Sequence, residues 1–437
     1  MNGLLTDLYE LTMAAGYFES GKAAEKATFE FSIRRLPDHR NYAVIAGIPQ
    51  IVDYLLNLSF TAEEIAYLRA LPQFAQVSPA FFDYLRDFRF TGDLFAVPEG
   101  TVLFAGEPVL TIRAPVIEAQ IPETYLLSAV TFQTLIASKA ARCATAAAGR
   151  PVMEFGTRRA HTPEAGTLGA RAAWLGGCAG TSNTLAGFRY GIPVMGTAAH
   201  SWVMSFPCEK DAFRKLQRVL GPSTVHLIDT YDTLEGARRA AALGGPMWGV
   251  RLDSGDFDAL SRQVRAILDE SGHPGAKIMI SGNLDEYRIR DLVASGAPID
   301  SFGVGTQLAT SGDAPTMGAI YKMVELDISG IKRFTAKYSE DKTSFPGAKQ
   351  IFRDVARDVV ARSGECGKGE ALLRPILLGG RLIEPLPALV QARERAAQSL
   401  ANLPPALRQL EVAEPWPVIQ SRELRALIGQ TRSNLGA

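Results

Sequence analysis

Six short apolar segments between residues 150 and 306 each end in small or polar residues. This regular repetition is the sequence feature that most constrains the fold. The six segments are PVMEFGTRR, IPVMGTAAHS, TVHLIDTYDT, MWGVRLDSGD, KIMISGNLDE and DSFGVGTQL. The segments between them are long enough for one helix each, and DALSRQVRAILDES and LDEYRIRDLVASG repeat their apolar residues at helical spacing. Alternating strands and helices predict a parallel sheet, and repeated units of this kind predict an irregular, TIM-like α/β barrel.

The residues at the ends of these strands are candidates for an active site, because active sites of parallel α/β barrels assemble at the carboxyl ends of the strands. Loops that follow strands are polar in most proteins. This tendency explains a polar residue at the end of one strand better than it explains polar residues at the ends of several successive strands. We therefore expect a set of side chains to converge at one edge of the sheet: Arg158, His200, Asp229, Arg251, Asp253, Asn283 and Thr306.

The basic and glycine-rich strand ends indicate an anion site. Arg158 and Arg251 are planar cations that suit a carboxylate or a phosphate. In GVGTQL, Gly303 and Gly305 let backbone amides approach an anion, and Thr306 adds a hydroxyl. Taken alone, a G-x-G-T sequence is about as often a tight turn as a phosphate cradle.

Two aspartates of RLDSGD have two possible roles each. Asp253 and Asp256 can bind ribose hydroxyls or a divalent cation, which prefers carboxylate oxygens. The alternative for both is the capping of the next helix, and it is stronger for Asp256 than for Asp253.

His200 is one of five histidines and lies at the end of an apolar segment. A neutral imidazole attacks phosphorus well when a carboxylate holds its other nitrogen, and Asp229 or Asp232 on the next strand can supply that carboxylate. The five histidines lack metal-ligand spacing. His200 is therefore a candidate nucleophile and not a candidate metal ligand.

Charge and cysteine content narrow the possible partners and locations. Lys plus Arg and Asp plus Glu both number 46, so no overall field attracts nucleic acid or an anionic membrane. The amino end lacks the pattern of a signal peptide, and no long uncharged apolar run follows, which predicts a cytoplasmic protein. The four cysteines are far apart in sequence, which argues against a zinc site and against a disulfide framework.

The length of 437 residues and the change of sequence pattern along the chain predict more than one domain. Residues 1–130 mix a helical pattern, TAEEIAYLRAL, with β-rich pieces such as ATFEFSI. We expect residues 1–130 and 330–437 to form an α+β accessory domain with a helical tail, and residues 131–329 to form the catalytic barrel.

Eight segments, in order and over nearly the whole chain, resemble the signature segments of nicotinate phosphoribosyltransferases. They are TDLYELTM, FGTRRA, GTAAHS, LIDTYDT, RLDSGD, SGNLDE, FGVGTQL and KYSEDKTSFPGAKQIFR. The resemblance implies an enzyme that joins nicotinate to 5-phosphoribosyl pyrophosphate and gives nicotinate mononucleotide and pyrophosphate in NAD salvage. It also implies Mg²⁺ as cofactor and coupled hydrolysis of ATP as co-substrate.

The resemblance further implies roles for individual residues at the base. Tyr9 of the partner subunit in a homodimer stacks on the pyridine ring opposite Phe155. Thr197 and Arg251 bind the nicotinate carboxylate. Ser182 stands where the related nicotinamide-using enzyme carries an aspartate, so no carboxylate repels nicotinate and this substrate is favoured.

Around the sugar and phosphates, the resemblance implies that Arg158 contacts the substrate phosphates and Asp253 holds the ribose. His200 is the histidine that ATP phosphorylates, and Asp229 supports it. The residues lining the sugar and 5′-phosphate site are Gly282, Asn283, Gly303, Gly305 and Thr306.

Other functions remain as alternatives. One is a nicotinamide phosphoribosyltransferase, and another is a non-catalytic barrel that binds a sugar phosphate as a sensor. A quinolinate-using relative needs a more basic pocket for two carboxylates. An aldolase or epimerase usually needs a Schiff-base lysine or a paired acid and base, and the quoted strand ends contain no lysine after the apolar run.

Overall fold

The computed structural model describes residues 3–338 and 343–436, so residues 339–342 of the motif KYSEDKTSFPGAKQIFR lie outside the described residues. The chain forms two compact units. The terminal unit comprises Met1–Thr134, Thr316–Leu407 and Val412–Ala437, and the central unit comprises Leu135–Pro315 and Arg408–Glu411.

The strands are β1 (Lys26–Arg35), β2 (Ala43–Val44), β3 (Asp93–Ala96), β4 (Val102–Leu103), β5 (Pro108–Pro115), β6 (Val152–Glu154), β7 (Gly180–Thr181), β8 (Val225–Leu227), β9 (Gly249–Leu252), β10 (Lys277–Ser281), β11 (Ser301–Val304), β12 (Gly318–Ile328), β13 (Ile331–Phe334), β14 (Lys349–Arg353), β15 (Asp358–Arg362), β16 (Glu370–Ala371), β17 (Arg374–Leu378), β18 (Arg381–Leu382) and β19 (Val418–Gln420).

The helices are α1 (Leu8–Glu19), α2 (Ile48–Asn57), α3 (Ala62–Ala70), α4 (Pro79–Asp87), α5 (Val116–Gln120), α6 (Glu123–Ala146), α7 (Pro163–Leu175), α8 (Thr184–Tyr190), α9 (His200–Met204), α10 (Glu209–Leu220), α11 (Thr233–Ala241), α12 (Phe257–Glu270), α13 (Glu286–Ala294), α14 (Thr306–Ala309), α15 (Leu389–Ala401), α16 (Pro405–Arg408) and α17 (Arg422–Asn434). Within the described residues, none of them combines the length and the apolarity that crossing a membrane requires.

The central unit contains a parallel sheet of six strands in the order β7-β6-β11-β10-β9-β8. Its strands are buried, as all of β11 shows, because helices cover parallel sheets on both faces. The predicted α/β class with a parallel sheet is confirmed. Within the described residues, no ladder joins the two edges of this sheet, so its closure into a barrel stays a prediction.

One predicted strand, IPVMGTAAHS, is shorter than expected. Only Val194 pairs with the sheet, through a parallel bridge to Thr181. Pro193 has no N–H to donate to a ladder, and the segment also contains Gly196, whose flexibility weakens a strand. Residues 195–199 therefore leave the sheet before α9 begins at His200.

Several polar residues after the strands cap helices. Asp256 accepts hydrogen bonds from the backbone nitrogens of Asp258 and Ala259 at the start of α12, and Asp232 accepts one from Glu235 at the start of α11. The capping interpretation thus accounts for Asp256 and Asp232.

The terminal unit is built on a seven-stranded sheet in the order β13-β12-β1-β5-β3-β17-β18. An inner strand of this sheet, β1, pairs antiparallel with β12 and β5, and Phe29, Phe31 and Ile33 on β1 are buried in the core. A second sheet has the order β16-β14-β15-β19. The mixture of mainly antiparallel sheets, in which only β15 and β19 pair in parallel among the described residues, and helices agrees with the predicted α+β class of this part.

A buried group of charges ties α6 to α13 in the central unit. Lys139 Nζ lies 2.5 Å from Glu286 Oε2 and 2.7 Å from Asp313 Oδ1, and Arg142 Nε donates to Glu286 Oε1 at 2.9 Å. The side chains of Lys139, Arg142 and Glu286 are almost completely buried. Glu286 is therefore the counter-charge that two buried cations share.

Replacing Glu286 with glutamine should destabilise the protein by about 3 kcal/mol, because two buried cations lose the carboxylate that they share, although Lys139 keeps its contact with Asp313. Urea denaturation followed by circular dichroism measures this change. The control is Asp291→Asn on the same helix, where an exposed pair with Arg290 is lost and a change below about 0.5 kcal/mol is expected. Equal stability of the two variants would contradict the assignment.

Candidate active site

Arg251 is the centre of a hydrogen-bonded cluster at the carboxyl edge of the central sheet. It lies on β9, and 12% of its side-chain surface is exposed. Its Nε donates to Ser281 Oγ at 2.7 Å, and its two terminal nitrogens donate to Thr197 Oγ1 and Asp253 Oδ1, each at 2.6 Å. The cluster brings together three of the predicted site residues, Thr197, Arg251 and Asp253.

The two carboxylate oxygens of Asp253 have different surroundings. Oδ1 accepts hydrogen bonds from Arg251 and Ser281, whereas Oδ2 lies 3.8 Å from Nε2 of His200. Burial alone raises the pKa of Asp253, but the Arg251 cation, the hydrogen bonds from Ser281 and Arg251, and His200 outweigh it, so the pKa is lowered. Asp253 is therefore a carboxylate at neutral pH, with its second oxygen facing the imidazole.

His200 is the first residue of α9, and 41% of its side chain is exposed. Its Nδ1 contacts Thr230 Oγ1 at 3.1 Å. Asp229, the carboxylate expected beside His200, instead accepts hydrogen bonds on Oδ2 from the backbone nitrogen of Asp253 at 3.0 Å and from Ser254 Oγ at 2.6 Å. Asp229 thus fixes the loop after β9, and its neighbour Thr230 orients the imidazole.

A second histidine of this region, His226 on β8, has a contrasting environment. It is completely buried, both of its ring nitrogens lack hydrogen-bond partners, and its ring packs 4.9 Å from the ring of Phe213. Burial lowers the pKa of His226 to about 4. His226 is therefore a neutral core residue, and His200 is the accessible imidazole near the cluster.

Glu154, at the end of β6, is a buried carboxylate that the sequence reasoning missed. It accepts hydrogen bonds from Thr181 Oγ1 at 2.5 Å and from the backbone nitrogen of Gly156. Burial raises the pKa of Glu154, although these hydrogen bonds oppose the shift. Glu154 fastens the loop after β6, which carries Phe155, to β7. An acidic residue inside an apolar strand, directly before FGTRR, was the available signal.

Gly303 has a steric role besides the expected anion cradle. A Cβ atom on Gly303 would lie 2.5 Å from Cδ2 of Phe155, which is closer than two carbon atoms can pack. The missing side chain therefore makes room for the Phe155 ring. Gly305 and Thr306 mark the start of α14, with Gly305 as the N-cap residue and Thr306 exposed.

Gly282 lets two loops of the site approach each other. Its φ angle is +95°, and a Cβ atom there would lie 2.1 Å from the carbonyl oxygen of Asp253. The next residue, Asn283, also has a left-handed φ of 48°, and its side chain is exposed. A glycine at position 282 is thus required to hold the loop after β10 against the loop after β9.

The remaining predicted residues are exposed. Arg158 lies in the 3₁₀ turn Thr157–Arg159 after β6, and Ser182 follows β7, where its backbone nitrogen donates to the carbonyl of Glu154 at 3.0 Å. Both stand at the carboxyl edge of the central sheet. Tyr9 lies on α1 of the terminal unit with 47% of its surface exposed.

A parallel α/β sheet with cationic, acidic and imidazole side chains joined at its carboxyl edge is the arrangement typical of active sites in α/β enzymes. Family models agree with this class over most of the chain. The N-terminal domain of nicotinate phosphoribosyltransferase matches residues 4–131, the nicotinate phosphoribosyltransferase family model matches residues 151–343, and the C-terminal domain matches residues 339–428.

Individual relatives match over most of the chain. Nicotinate phosphoribosyltransferase pncB2 of Mycobacterium tuberculosis is 45% identical over 99% of this chain and 94% of the relative. Nicotinate phosphoribosyltransferase of Bacillus subtilis is 43% identical over 80% of this chain and 72% of the relative. The crystal structure of human nicotinic acid phosphoribosyltransferase superposes with a TM-score of 0.85 at 28% identity, covering 97% of this chain and 99% of that one.

The chain belongs to the nicotinate phosphoribosyltransferase family, and the resemblance of the eight sequence segments is confirmed. It is an enzyme of the phosphoribosyltransferase class.

Proposed function

We propose that this enzyme joins nicotinate to 5-phosphoribosyl pyrophosphate and releases nicotinate mononucleotide and pyrophosphate, as a step of NAD salvage. The observation that carries the proposal is the setting of Arg251. Of its five N–H groups, three are engaged by Ser281, Thr197 and Asp253, and another has only a 3.5 Å contact with the carbonyl oxygen of Ala198. The partly buried guanidinium thus retains N–H groups for a carboxylate of the substrate.

The nicotinate carboxylate binds at Arg251 and Thr197 in this proposal. The pyridine ring lies on Phe155, which Gly303 accommodates and whose loop Glu154 anchors. Ser182 is exposed at the same edge of the sheet and carries no charge that would repel a carboxylate. The site therefore favours nicotinate over nicotinamide.

Asp253 binds the ribose of 5-phosphoribosyl pyrophosphate, and Arg158 binds its phosphates. Displacement of pyrophosphate from the anomeric carbon passes through a state with positive charge on the sugar, so an ionised Asp253 stabilises it. The remaining part of the sugar and 5′-phosphate site consists of Gly282, Asn283, Gly303, Gly305 and Thr306. The enzyme thereby aligns the ring nitrogen with the anomeric carbon and neutralises the leaving group.

The carboxylates of the site suit Mg²⁺. Asp229 Oδ1 is buried without a hydrogen-bond partner, and Asp253 Oδ2 has only the imidazole at 3.8 Å. Within residues 3–338 and 343–436, His, Cys, Asp and Glu form no group of three that could hold a metal alone. This agrees with the usual way in which proteins bind Mg²⁺, through one or two carboxylates together with substrate phosphates. Bound Mg²⁺ supplies positive charge to the pyrophosphate.

In this proposal His200 attacks the γ-phosphorus of ATP, the bond to the bridging oxygen breaks and ADP leaves, and water later cleaves the P–N bond to release phosphate. Because Nδ1 contacts Thr230 Oγ1, Nε2 is the nitrogen available for the P–N bond. Phosphorylation adds negative charge and hydrogen-bond acceptors beside Asp253. The phosphoryl group on His200 and the Asp253 carboxylate then lie close together, and their negative charges alter the affinity of the site for its anionic substrates. This change in affinity couples ATP hydrolysis to synthesis.

We also propose a homodimer in which Tyr9 of the partner subunit completes the base site. Four apolar side chains near the start of the chain are exposed, Leu5, Leu8, Tyr9 and Met13, and such a patch is typical of an interface.

The four cysteines are free, which suits the reducing cytoplasm proposed as the location.

Mass spectrometry of the products tests the function. The purified protein is incubated with Mg²⁺, 5-phosphoribosyl pyrophosphate and, in separate reactions, nicotinate, nicotinamide or quinolinate, each with and without ATP. We expect nicotinate mononucleotide, formed faster with ATP. Nicotinamide mononucleotide as the main product would overturn the role of Ser182, and no product from any base would favour a non-catalytic sugar-phosphate-binding protein.

A further inference from the structure

Ser281 lies between the two charged groups of the cluster. It is the last residue of β10, and 3% of its surface is exposed. Its Oγ accepts the Nε–H of Arg251 at 2.7 Å and donates to Asp253 Oδ1. A serine hydroxyl on one strand thus bridges a cation and a carboxylate that belong to the neighbouring strand and its loop.

The chemistry of the two neighbours fixes the direction of both hydrogen bonds. A guanidinium has only donors and a carboxylate has only acceptors, so the Ser281 hydroxyl accepts from Arg251 and gives its one proton to Asp253. Because both partners are charged, each bond is stronger than a bond between neutral groups. The hydroxyl therefore has one preferred orientation.

This orientation determines which atoms of the neighbours remain for substrate. The Nε side of Arg251 is held toward β10, so its terminal nitrogens remain toward Thr197 and the substrate. In Asp253, Oδ1 is occupied and Oδ2 is left beside His200. A single hydroxyl thus sets the presentation of both the guanidinium and the carboxylate.

We propose that Ser281 is a positioning residue that couples the base site at Arg251 to the sugar site at Asp253. The inference rests on the proposed function, in which these two residues bind nicotinate and ribose. Without the hydroxyl, the side chains of Arg251 and Asp253 keep their direct contact but lose their fixed orientation. Both substrates then bind and react less well, although Ser281 touches neither of them.

The test compares Ser281→Ala with Ser301→Ala. Ser301 lies on the adjacent strand β11, is equally buried, and its Oγ has no hydrogen-bond partner, so it is a matched control. For Ser281→Ala we expect kcat/KM to fall by about 10- to 100-fold, the size expected for hydrogen bonds to charged groups, with higher KM values for both nicotinate and 5-phosphoribosyl pyrophosphate. Ser301→Ala should retain wild-type kinetics, and melting temperatures verify that both variants are folded.

A double variant separates positioning from a general structural effect. Since Ser281 acts through Arg251 and Asp253, Ser281→Ala combined with Arg251→Lys should lose less activity than the sum of the two single losses. Fully additive losses, or equal kinetics of Ser281→Ala and Ser301→Ala, would overturn the proposal. If Arg251→Lys itself retained wild-type kcat/KM for nicotinate, the proposed base site would fail instead, so the two failures are distinguishable.

Discussion

We expect the replacement of Arg251 with lysine to lower kcat/KM for nicotinate by about 100-fold, because each lost hydrogen bond to a charged group costs about 1.5–3 kcal/mol. Lysine keeps the positive charge but cannot donate at once to Ser281, Thr197 and Asp253, as the guanidinium does. Its single ammonium also cannot offer two parallel N–H groups to a carboxylate. The loss should therefore appear mainly in the KM for nicotinate.

Steady-state kinetics with each substrate varied in turn measure this effect. The control is Arg262→Lys on α12, whose arginine is exposed and paired with Asp258. This variant should retain wild-type values, because an exposed pair contributes little and lysine keeps the charge. A larger rise in KM for 5-phosphoribosyl pyrophosphate than for nicotinate would place Arg251 at the phosphates instead of the base.

We expect the replacement of His200 with alanine to abolish the proposed stimulation of the reaction by ATP while leaving a slower, uncoupled synthesis. The imidazole is the accessible one near Asp253, with Nδ1 held by Thr230, whereas the buried His226 has no hydrogen-bond partner and a lowered pKa. Removal of His200 leaves the contacts of Arg251 with Ser281, Thr197 and Asp253 in place. Catalysis and energy coupling should therefore separate in this variant.

Two measurements check the separation: the rate with and without ATP, and the transfer of labelled phosphate from ATP to the protein in an acid-labile form. We expect the label to fall more than about 10-fold, since a P–N bond needs the imidazole. The control is His39→Asn in the terminal unit. His39 is exposed and has a left-handed φ of 61°, which asparagine tolerates. Undiminished labelling or full ATP stimulation of His200→Ala would contradict the assignment.

The convergence of Arg251, Asp253 and His200 was predictable from sequence because parallel strands end at the same edge of a sheet. A strand that ends in RLD and a segment that ends in AAHS must therefore bring these side chains near each other. The early end of IPVMGTAAHS as a strand also had a readable cause, since Pro193 removes a donor from the ladder.

Other parts of the site depend on distances that a sequence does not contain. Ser281 and Thr230 are common residue types, and their partners lie about thirty positions away in the chain. Gly303 also makes room for the Phe155 ring, which comes from a distant segment, and the G-x-G-T pattern does not indicate that contact. The choice between cap and ligand for Asp256 likewise depended on seeing which amides it accepts.

Residues 192–199 pair with the sheet over a short stretch, so the part of the site that they form is held less firmly than the part formed by Arg251 and Ser281. Two backbone hydrogen bonds attach this segment to the sheet. The nitrogen of Thr181 donates to the carbonyl oxygen of Pro193, and the nitrogen of Met195 donates to the carbonyl oxygen of Thr181. Ser281 and Arg251 instead belong to paired strands in the middle of the sheet. Local opening is easiest where the fewest bonds must break. The residues that carry Thr197 and lead into His200 are thus on a hinged side of the site, and Arg251 and Ser281 are on its rigid side. If His200 carries a phosphoryl group as proposed, it is placed where movement breaks the fewest hydrogen bonds of the fold.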